Sequence, residues 1–439
     1  MKVNVTEVID RSPVGPLHIL IVAIGFLIMI MDGYDLVAMA ATVPSVSQEW
    51  GLDPAEFAWA LSVALVGVLF GSTGAGAMGD RIGRRWTIVI MLLICGVSMC
   101  VTPLVRSMNE LIAMRFVTGV GVGGCIPVTL AYTLEFMPRR VRNLLTAFMY
   151  SGAAMGTVVA GAAGPTLIGM GGWPYVFYFG GLIPIALAVL AAVLLPESLR
   201  FLVNRGCPPA VAGSLLGRVD STFEHRPGLE YSLGEATHKG SPIRELFGGR
   251  QTGITLIVWL AFFGNQFLVF LLGLWMPTLF TQVGISIDLA LYVLALYAVG
   301  GVVGGTLFGA LGDRMAPTRV LLVTYLLGAV SVFALGLSVG SIPLLIAVAI
   351  CTGFAVLGSS LLLGTMTTGL YPTRARSTGI GWALAIGRFG SIASPLIAGA
   401  LLSQGFSTQV IFAIGAIPAL LCAASVFVLG RLTRLANAG

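Results

Sequence analysis

Twelve long apolar runs separated by short polar stretches make up most of this chain, and they leave it few folds to choose from. They fall at about residues 18–42, 57–78, 86–106, 110–134, 143–168, 174–195, 252–281, 288–311, 318–338, 342–369, 376–402 and 408–430. Each meets or exceeds the ~20 residues that an α-helix needs to cross a bilayer. In hydrocarbon the backbone must satisfy its own hydrogen bonds, so runs of this length become helices. With 57% of 439 residues hydrophobic and only 10% charged, no soluble domain is compatible with the composition. The expectation is an all-α integral membrane protein of twelve transmembrane helices. The 58 glycines suit close helix packing in lipid, where small residues let backbones approach.

The net charge of +6 could suggest a polyanionic partner, but the placement of the charges argues for topology instead. All of the 24 Lys and Arg except Arg106, Arg115 and Arg388 lie in the N-terminal tail, alternate loops, the central polar segment or the C-terminal tail. The intervening loops carry Glu49, Asp53, Glu56, Glu110 and Asp288. This positive-inside pattern predicts a multi-pass protein with both termini cytoplasmic and no nucleic-acid partner. The first apolar run is too long for a cleavable signal peptide and no small-residue cleavage site follows it. The six cysteines show no paired spacing, so neither disulfides, a metal site nor a cofactor is expected. Short loops suggest a bacterial inner membrane, with a monomer embedded in the bilayer.

The chain divides into a tail (1–17), a six-helix bundle (18–195), a polar linker (196–250) with some amphipathic helix, a second six-helix bundle (251–430) and a tail (431–439). The halves repeat each other. Gly79-Asp80-Arg81 follows span 2 and Gly312-Asp313-Arg314 follows span 8. Pro138-Arg139-Arg140-Val141-Arg142 follows span 4, and Pro372-Thr373-Arg374-Ala375-Arg376 follows span 10. Two motifs recurring at nearly one offset predict two pseudo-symmetric bundles, the plan of a secondary transporter with its site near the midplane.

The candidates for chemistry are the ionisable residues inside spans, because a charge in hydrocarbon is costly and defaults to function. Asp32 and Asp35 lie in span 1 within Met31-Asp32-Gly33-Tyr34-Asp35. Their i, i+3 spacing puts them on one helix face, where two acids cannot both ionise cheaply and one can carry a proton. Capping of a broken helix or pairing with an arginine would also account for either acid. Arg388 lies about 18 Å into span 11, near the middle of a core of about 30 Å, where its guanidinium needs an anion. Arg115, about one turn inside span 4, can reach Asp35 or Asp32, or snorkel, and with Arg388 it is a candidate for binding substrate. Tyr34, Trp382, Phe389, Asn265, Gln266 and the phenylalanines around them in span 7 are candidates for lining a substrate cavity. Glu135 ends span 4 beside Arg139, Arg140 and Arg142 and reads as a gate or surface ion pair. Trp59, Trp173 and Trp275 read as interface-belt residues.

The run Gly76-Ala77-Met78-Gly79-Asp80-Arg81-Ile82-Gly83-Arg84-Arg85 resembles the signature loop between helices 2 and 3 of the major facilitator superfamily. A basic loop alone would explain its arginines but not their order. The copy from Gly309 to Arg319 is degenerate, with Pro317 and Thr318 at the Gly-Arg positions. The resemblance implies the major facilitator fold and a gate in which Asp80, Arg81, Arg84 and Arg85, and Asp313, Arg314, Arg374 and Arg376, take part. Further runs resemble the aromatic acid:H+ symporter family of that superfamily. They are Asp32-Gly33-Tyr34-Asp35, Arg115 to Gly121, Pro196-Glu197-Ser198-Leu199-Arg200-Phe201-Leu202, and Tyr371 through Gly379-Ile380-Gly381-Trp382 to Gly387-Arg388. This likeness implies coupling at Asp32 and Asp35, with Arg388 on the substrate carboxylate. None of the three histidines falls within the interior of a span, so no histidine relay is expected.

The expected function is import of aromatic carboxylates, hydroxy- or methoxybenzoate-like and lignin-derived acids among them, in symport with protons. A proton-driven exporter of organic cations or drugs is the alternative. Gly161-Ala162-Ala163-Gly164-Pro165 favours it and Arg388 opposes it. A transporter-like sensor without flux is a third reading. No nucleophile with a base and no metal-ligand spacing supports an enzyme.

Overall fold

The computed structural model describes residues 2–220, 223, 229–233, 246–372 and 375–437. Among them, twelve helices are long and apolar enough to cross a membrane. These are α2 (Pro16–Trp50), α3 (Ala58–Ile82), α4 (Arg84–Val101), α5 (Met108–Phe136), α6 (Arg139–Gly171) and α7 (Pro174–Leu194), then α10 (Arg250–Gln282), α11 (Ile287–Arg314), α12 (Pro317–Leu337), α13 (Ile342–Leu370), α14 (Arg376–Ser403) and α15 (Thr408–Asn437). Several outrun the apolar spans. α2 continues to Trp50, well past residue 42, because intrahelical hydrogen bonding does not stop where side chains turn polar. Pro44 sits within it and withdraws a single backbone donor.

The chain forms two compact units. The first comprises residues 1–35, 66–156 and 177–239, and the second 36–65, 157–176 and 240–439. α2, α3, α6 and, by its first three residues, α7 are therefore each divided between the units.

In the first unit, the tail and linker acquire structure that hydropathy could not reveal. β1 (Lys2–Asn4) pairs in parallel with β2 (Glu230–Ser232), and α1 (Val5–Arg11) follows at once, capped by the Asn4 side chain. Asp10 then pairs with Arg139 at 3.0 Å and Arg142 at 3.5 Å, while Arg140 donates to the Ser12 carbonyl. The linker adds α8 (Leu199–Asn204) and α9 (Pro209–Val219). Deeper in the unit, α2 and α6 meet at backbone distance. A Cβ on Gly33 would lie 1.9 Å from the Ala153 carbonyl oxygen, and one on Gly156 2.0 Å from that of Ile30.

In the second unit, α11 and α13 make the same kind of contact, with Gly353 against the Tyr297 carbonyl. α10 and α14 meet where Gly390 abuts the Phe263 carbonyl. Val258, Phe262, Leu321, Tyr325, Leu363 and Val426 belong to its core. The 36–65 segment joins this unit through Ser62, whose hydroxyl donates to the Ile392 carbonyl at 2.6 Å. Two of the three tryptophans read as belt residues prove otherwise. Trp275 is wholly buried, with its ring edge against Gly399, and Trp173 is buried and donates its indole N–H to Glu49 at 2.7 Å. Depth along a span cannot reveal whether an indole faces lipid or a neighbouring helix. Trp59 is exposed.

Candidate functional site

The acids of α2 fare differently. Asp35 is buried and forms a two-pronged pair with Arg115 of α5, with Nη1 to Oδ1 at 2.8 Å and Nη2 to Oδ2 at 3.1 Å. Arg115 is equally buried. The planar fork of a guanidinium matches a carboxylate in just this way. Asp32, one turn earlier, is half-buried. Tyr34, between them in sequence, is buried and packs its ring against Phe179 and against the backbone of Gly180. Sequence reasoning left Arg115 between Asp35, Asp32 and snorkelling, and the structure sets it on Asp35, whereas Phe179, one apolar residue among many in α7, carried no signal.

In the second unit, Arg388 is half-buried on α14. Trp382, one and a half turns earlier, is exposed on one side and stacked on Trp259 on the other, with ring centroids 5.8 Å apart. Phe389 is exposed. The two amides of α10 diverge. Asn265 is buried in a polar network with Tyr325 and Ser360, while Gln266 is half-buried against Gly387. Tyr325 and Ser360 were missed in the sequence. Their one signal was a hydroxyl inside an otherwise apolar span, which most membrane hydroxyls spend on their own helix backbone.

A polar pocket of about 360 Å3 lies in the first unit, lined by Asp80, Arg84, Glu135, Arg200, Asn204 and Arg205 among others. Arg84 bridges its two acids, at 2.9 Å to Asp80 and 3.5 Å to Glu135. Glu135 therefore does not pair with Arg139, Arg140 or Arg142. Arg139 and Arg142 engage Asp10 and Arg140 the Ser12 carbonyl, so the tail takes up the cluster that follows Glu135 in sequence. Glu135 also accepts a hydrogen bond from Ser198.

The adjoining Glu197 covers the start of α4, accepting from the backbone N–H of Arg85 at 3.2 Å and of Ser198 at 2.8 Å. Negative charge is favoured at a helix N-terminus. Gly83 is obligatory beneath it: its φ is +98°, and a Cβ would lie 2.3 Å from Glu197 Oε2. Arg85 donates to the Ala192 carbonyl and lies over Trp86, and Arg205 donates to the Arg81 carbonyl. The signature loop is thus held by the first residues of the linker, a connection its own sequence does not display.

The second copy is sparser. Asp313 and Arg314 end α11 exposed, Arg376 begins α14 exposed, and none of the three joins an ion pair among the described residues. Arg374 lies outside the described residues.

Comparison with known proteins agrees with this architecture. The chain matches the Major Facilitator Superfamily over residues 23–227 and 258–437. It is 35% identical to a gallate transporter of Pseudomonas putida, over 98% of this chain and 95% of that one. It is 32% identical to the 4-hydroxybenzoate transporter PcaK of Pseudomonas aeruginosa, over 100% and 98%. A benzoate transport protein of Acinetobacter baylyi is 30% identical, over 98% and 93%. Among solved structures, a D-xylose-proton symporter superposes with a TM-score of 0.71 at 18% identity, over 92% of this chain and 97% of that one. A bacterial homologue of the human lysosomal transporter Spinster, in an inward-facing and unoccupied conformation, gives 0.71 at 17% identity, over 96% and 98%. The fold is that of a twelve-span secondary transporter, not of an enzyme. The chain belongs to the major facilitator superfamily and, within it, to the aromatic acid:H+ symporter family.

Proposed function

We propose that this protein imports aromatic monocarboxylates, of the hydroxy- and methoxybenzoate kind, across a bacterial inner membrane together with protons, with both termini in the cytoplasm. The observation that carries the reading is full-length similarity to carriers of gallate, 4-hydroxybenzoate and benzoate, in a chain that keeps an arginine inside span 11 and paired acids inside span 1.

In this reading Arg388 receives the substrate carboxylate, with Trp382 offering its ring face and Gln266 a polar contact. Arg115 serves the acids rather than the substrate, since both prongs of its guanidinium are spent on Asp35. A proton taken by an acid of span 1 and a substrate carboxylate taken by Arg388 enter with opposite charge. A carrier loaded with both exposes least net charge to apolar surroundings, so only the loaded form reorients readily. Asp80, Arg84 and Glu135, tied to Ser198, form a latch whose ion pairs strengthen or weaken as the carrier changes state.

The test is uptake into proteoliposomes of radiolabelled benzoate, hydroxybenzoates, methoxybenzoates and gallate, with and without an inward proton gradient. Accumulation that collapses with the gradient supports symport. Gradient-driven movement of an organic cation, with no acid accumulated, would transfer the case to an exporter.

A further inference from the structure

Residues 36–65 and 157–176, from spans 1, 2 and 5, belong to the second unit together with the last six spans. Because successive spans alternate in direction, these are the ends that lie on the side of the membrane opposite the N-terminus. Two seams within the unit join them to spans 8 and 11. At the first, a Cβ on Gly399 of α14 would strike Ala58 Cβ of α3 and lie 3.1 Å from the Ala55 carbonyl oxygen. Beside it the Ser62 hydroxyl donates to the Ile392 carbonyl at 2.6 Å. At the second, a Cβ on Gly161 of α6 would lie 2.7 Å from the Leu291 carbonyl oxygen of α11 and 2.8 Å from Ala295 Cβ, and one on Gly164 would lie 2.9 Å from Leu291 Cδ1. The glycines of the run Gly161 to Pro165 thus admit α11.

None of the residues that meet at these seams is charged. The acids near them are engaged locally: Glu49 accepts from the Trp173 indole, and Asp53 and Glu56 cap the turn Pro54–Phe57 that leads into α3. Contact and one hydrogen bond therefore close the first seam, and contact alone the second. Such closure is sharp, since a gap of about 0.5–1 Å already forfeits a quarter to a half of the dispersion attraction. One group works against it. Trp275 Cζ2 lies 3.4 Å from the Gly399 Cβ position, and Nε1 belongs to that same edge of the indole. Trp275 is wholly buried, yet its Nε1 has no hydrogen-bond partner among the described residues. A donor kept from water without a partner is disfavoured, so parting the seam, which admits water to that edge, relieves it.

We infer that Gly161, Gly399 and Ser62 form an uncharged closure on the side opposite the termini, and that Trp275 keeps this closure marginal. These residues set how often the carrier opens on that side, not how tightly it holds its substrate. The inference rests on the transport reading above only for its link to uptake. Because affinity measured from that side is the intrinsic affinity reduced by the open fraction, a change in the balance appears as a change in KM. Substitutions at the seam then act in two opposite directions. Added bulk or a lost Ser62 hydroxyl favours the parted seam, and removal of the unpaired indole donor favours the closed one.

The experiment follows deuterium uptake by mass spectrometry at residues 54–65 and 392–402, with α4 as the internal reference, alongside uptake of 4-hydroxybenzoate into proteoliposomes. Gly399→Val and Gly161→Val should each raise exchange at 54–65 and 392–402, because the two seams part in one movement, and should abolish accumulation while 4-hydroxybenzoate still binds. Gly169→Val, at a position of α6 with open space around its Cβ, should change neither. Ser62→Ala should raise exchange at both segments by about fivefold, and Trp275→Phe should lower it by about fivefold and raise KM to match. These two variants add no atom to the seam and decide the matter if the valine variants do not fold. Exchange that rises equally in α4, or that moves in neither Ser62→Ala nor Trp275→Phe, overturns the inference. Uptake of no aromatic acid by the native protein overturns the transport reading, and the deuterium result then still judges the seam by itself.

Discussion

Asp35 and Arg115 are both almost wholly buried, so the worth of their pair depends on which partner is removed. Breaking a buried pair by deleting one side leaves an uncompensated charge, which typically costs about 3–5 kcal/mol. Arg115→Leu is therefore expected to lower the unfolding temperature in detergent sharply. The double variant Asp35→Asn/Arg115→Leu should recover much of that loss, because it removes both charges together. The double variant should nevertheless fail to accumulate substrate against a gradient; proton-driven accumulation by it would remove Asp35 from the coupling machinery. Arg388 makes a different demand. Arg388→Lys keeps the charge but loses the planar fork, so KM for aromatic carboxylates should rise by about tenfold while expression and melting temperature hold. Unchanged affinity would take Arg388 out of the site.

Among elements, the decisive contacts are those where a helix backbone meets another backbone. Gly156 of α6 lies so close to Ile30 of α2 that Gly156→Leu cannot be accommodated without parting the two helices. Overpacking alone typically costs about 1–3 kcal/mol, and here the obstacle is backbone rather than a yielding side chain. The variant should show reduced yield of folded protein by size-exclusion chromatography, whereas a leucine at the open position Gly76 should not. Gly83→Ala meets two obstacles at once, a left-handed backbone and the Glu197 carboxylate. It should destabilise the protein even though the loop lies at the end of a span, and a melting temperature equal to that of the native chain would refute the cap assigned to Glu197.

For the whole molecule, the placement of Lys and Arg predicts that a fluorescent reporter fused at either terminus will light up and that a phosphatase fused there will stay silent. The opposite result at one terminus would require an odd number of spans. Twelve spans and their order were legible from hydropathy, because a bilayer imposes its thickness on every segment independently of the others. That Arg115 could answer an acid of span 1 was legible too, because an ionised group in hydrocarbon has few places to go, but which acid it answers was not. The strap of β1, α1 and β2 was not, since its residues are polar and its order comes from pairing between segments far apart in the chain.

What the sequence alone determined, then, was the membrane class, the number of helices, the family and the identity of the charges that had to be answered. What only the tertiary structure decided was who answers them and which way each helix faces. Glu135 turned to Arg84 and Ser198, Asp10 took the arginines that follow Glu135, Asn265 turned inward to Tyr325 and Ser360, and Trp275 went to the core instead of the interface. The physical reason is shared by all four. Depth in a membrane is set by distance along one helix and can be counted, whereas facing is set by the helices alongside, and no count along one segment contains them.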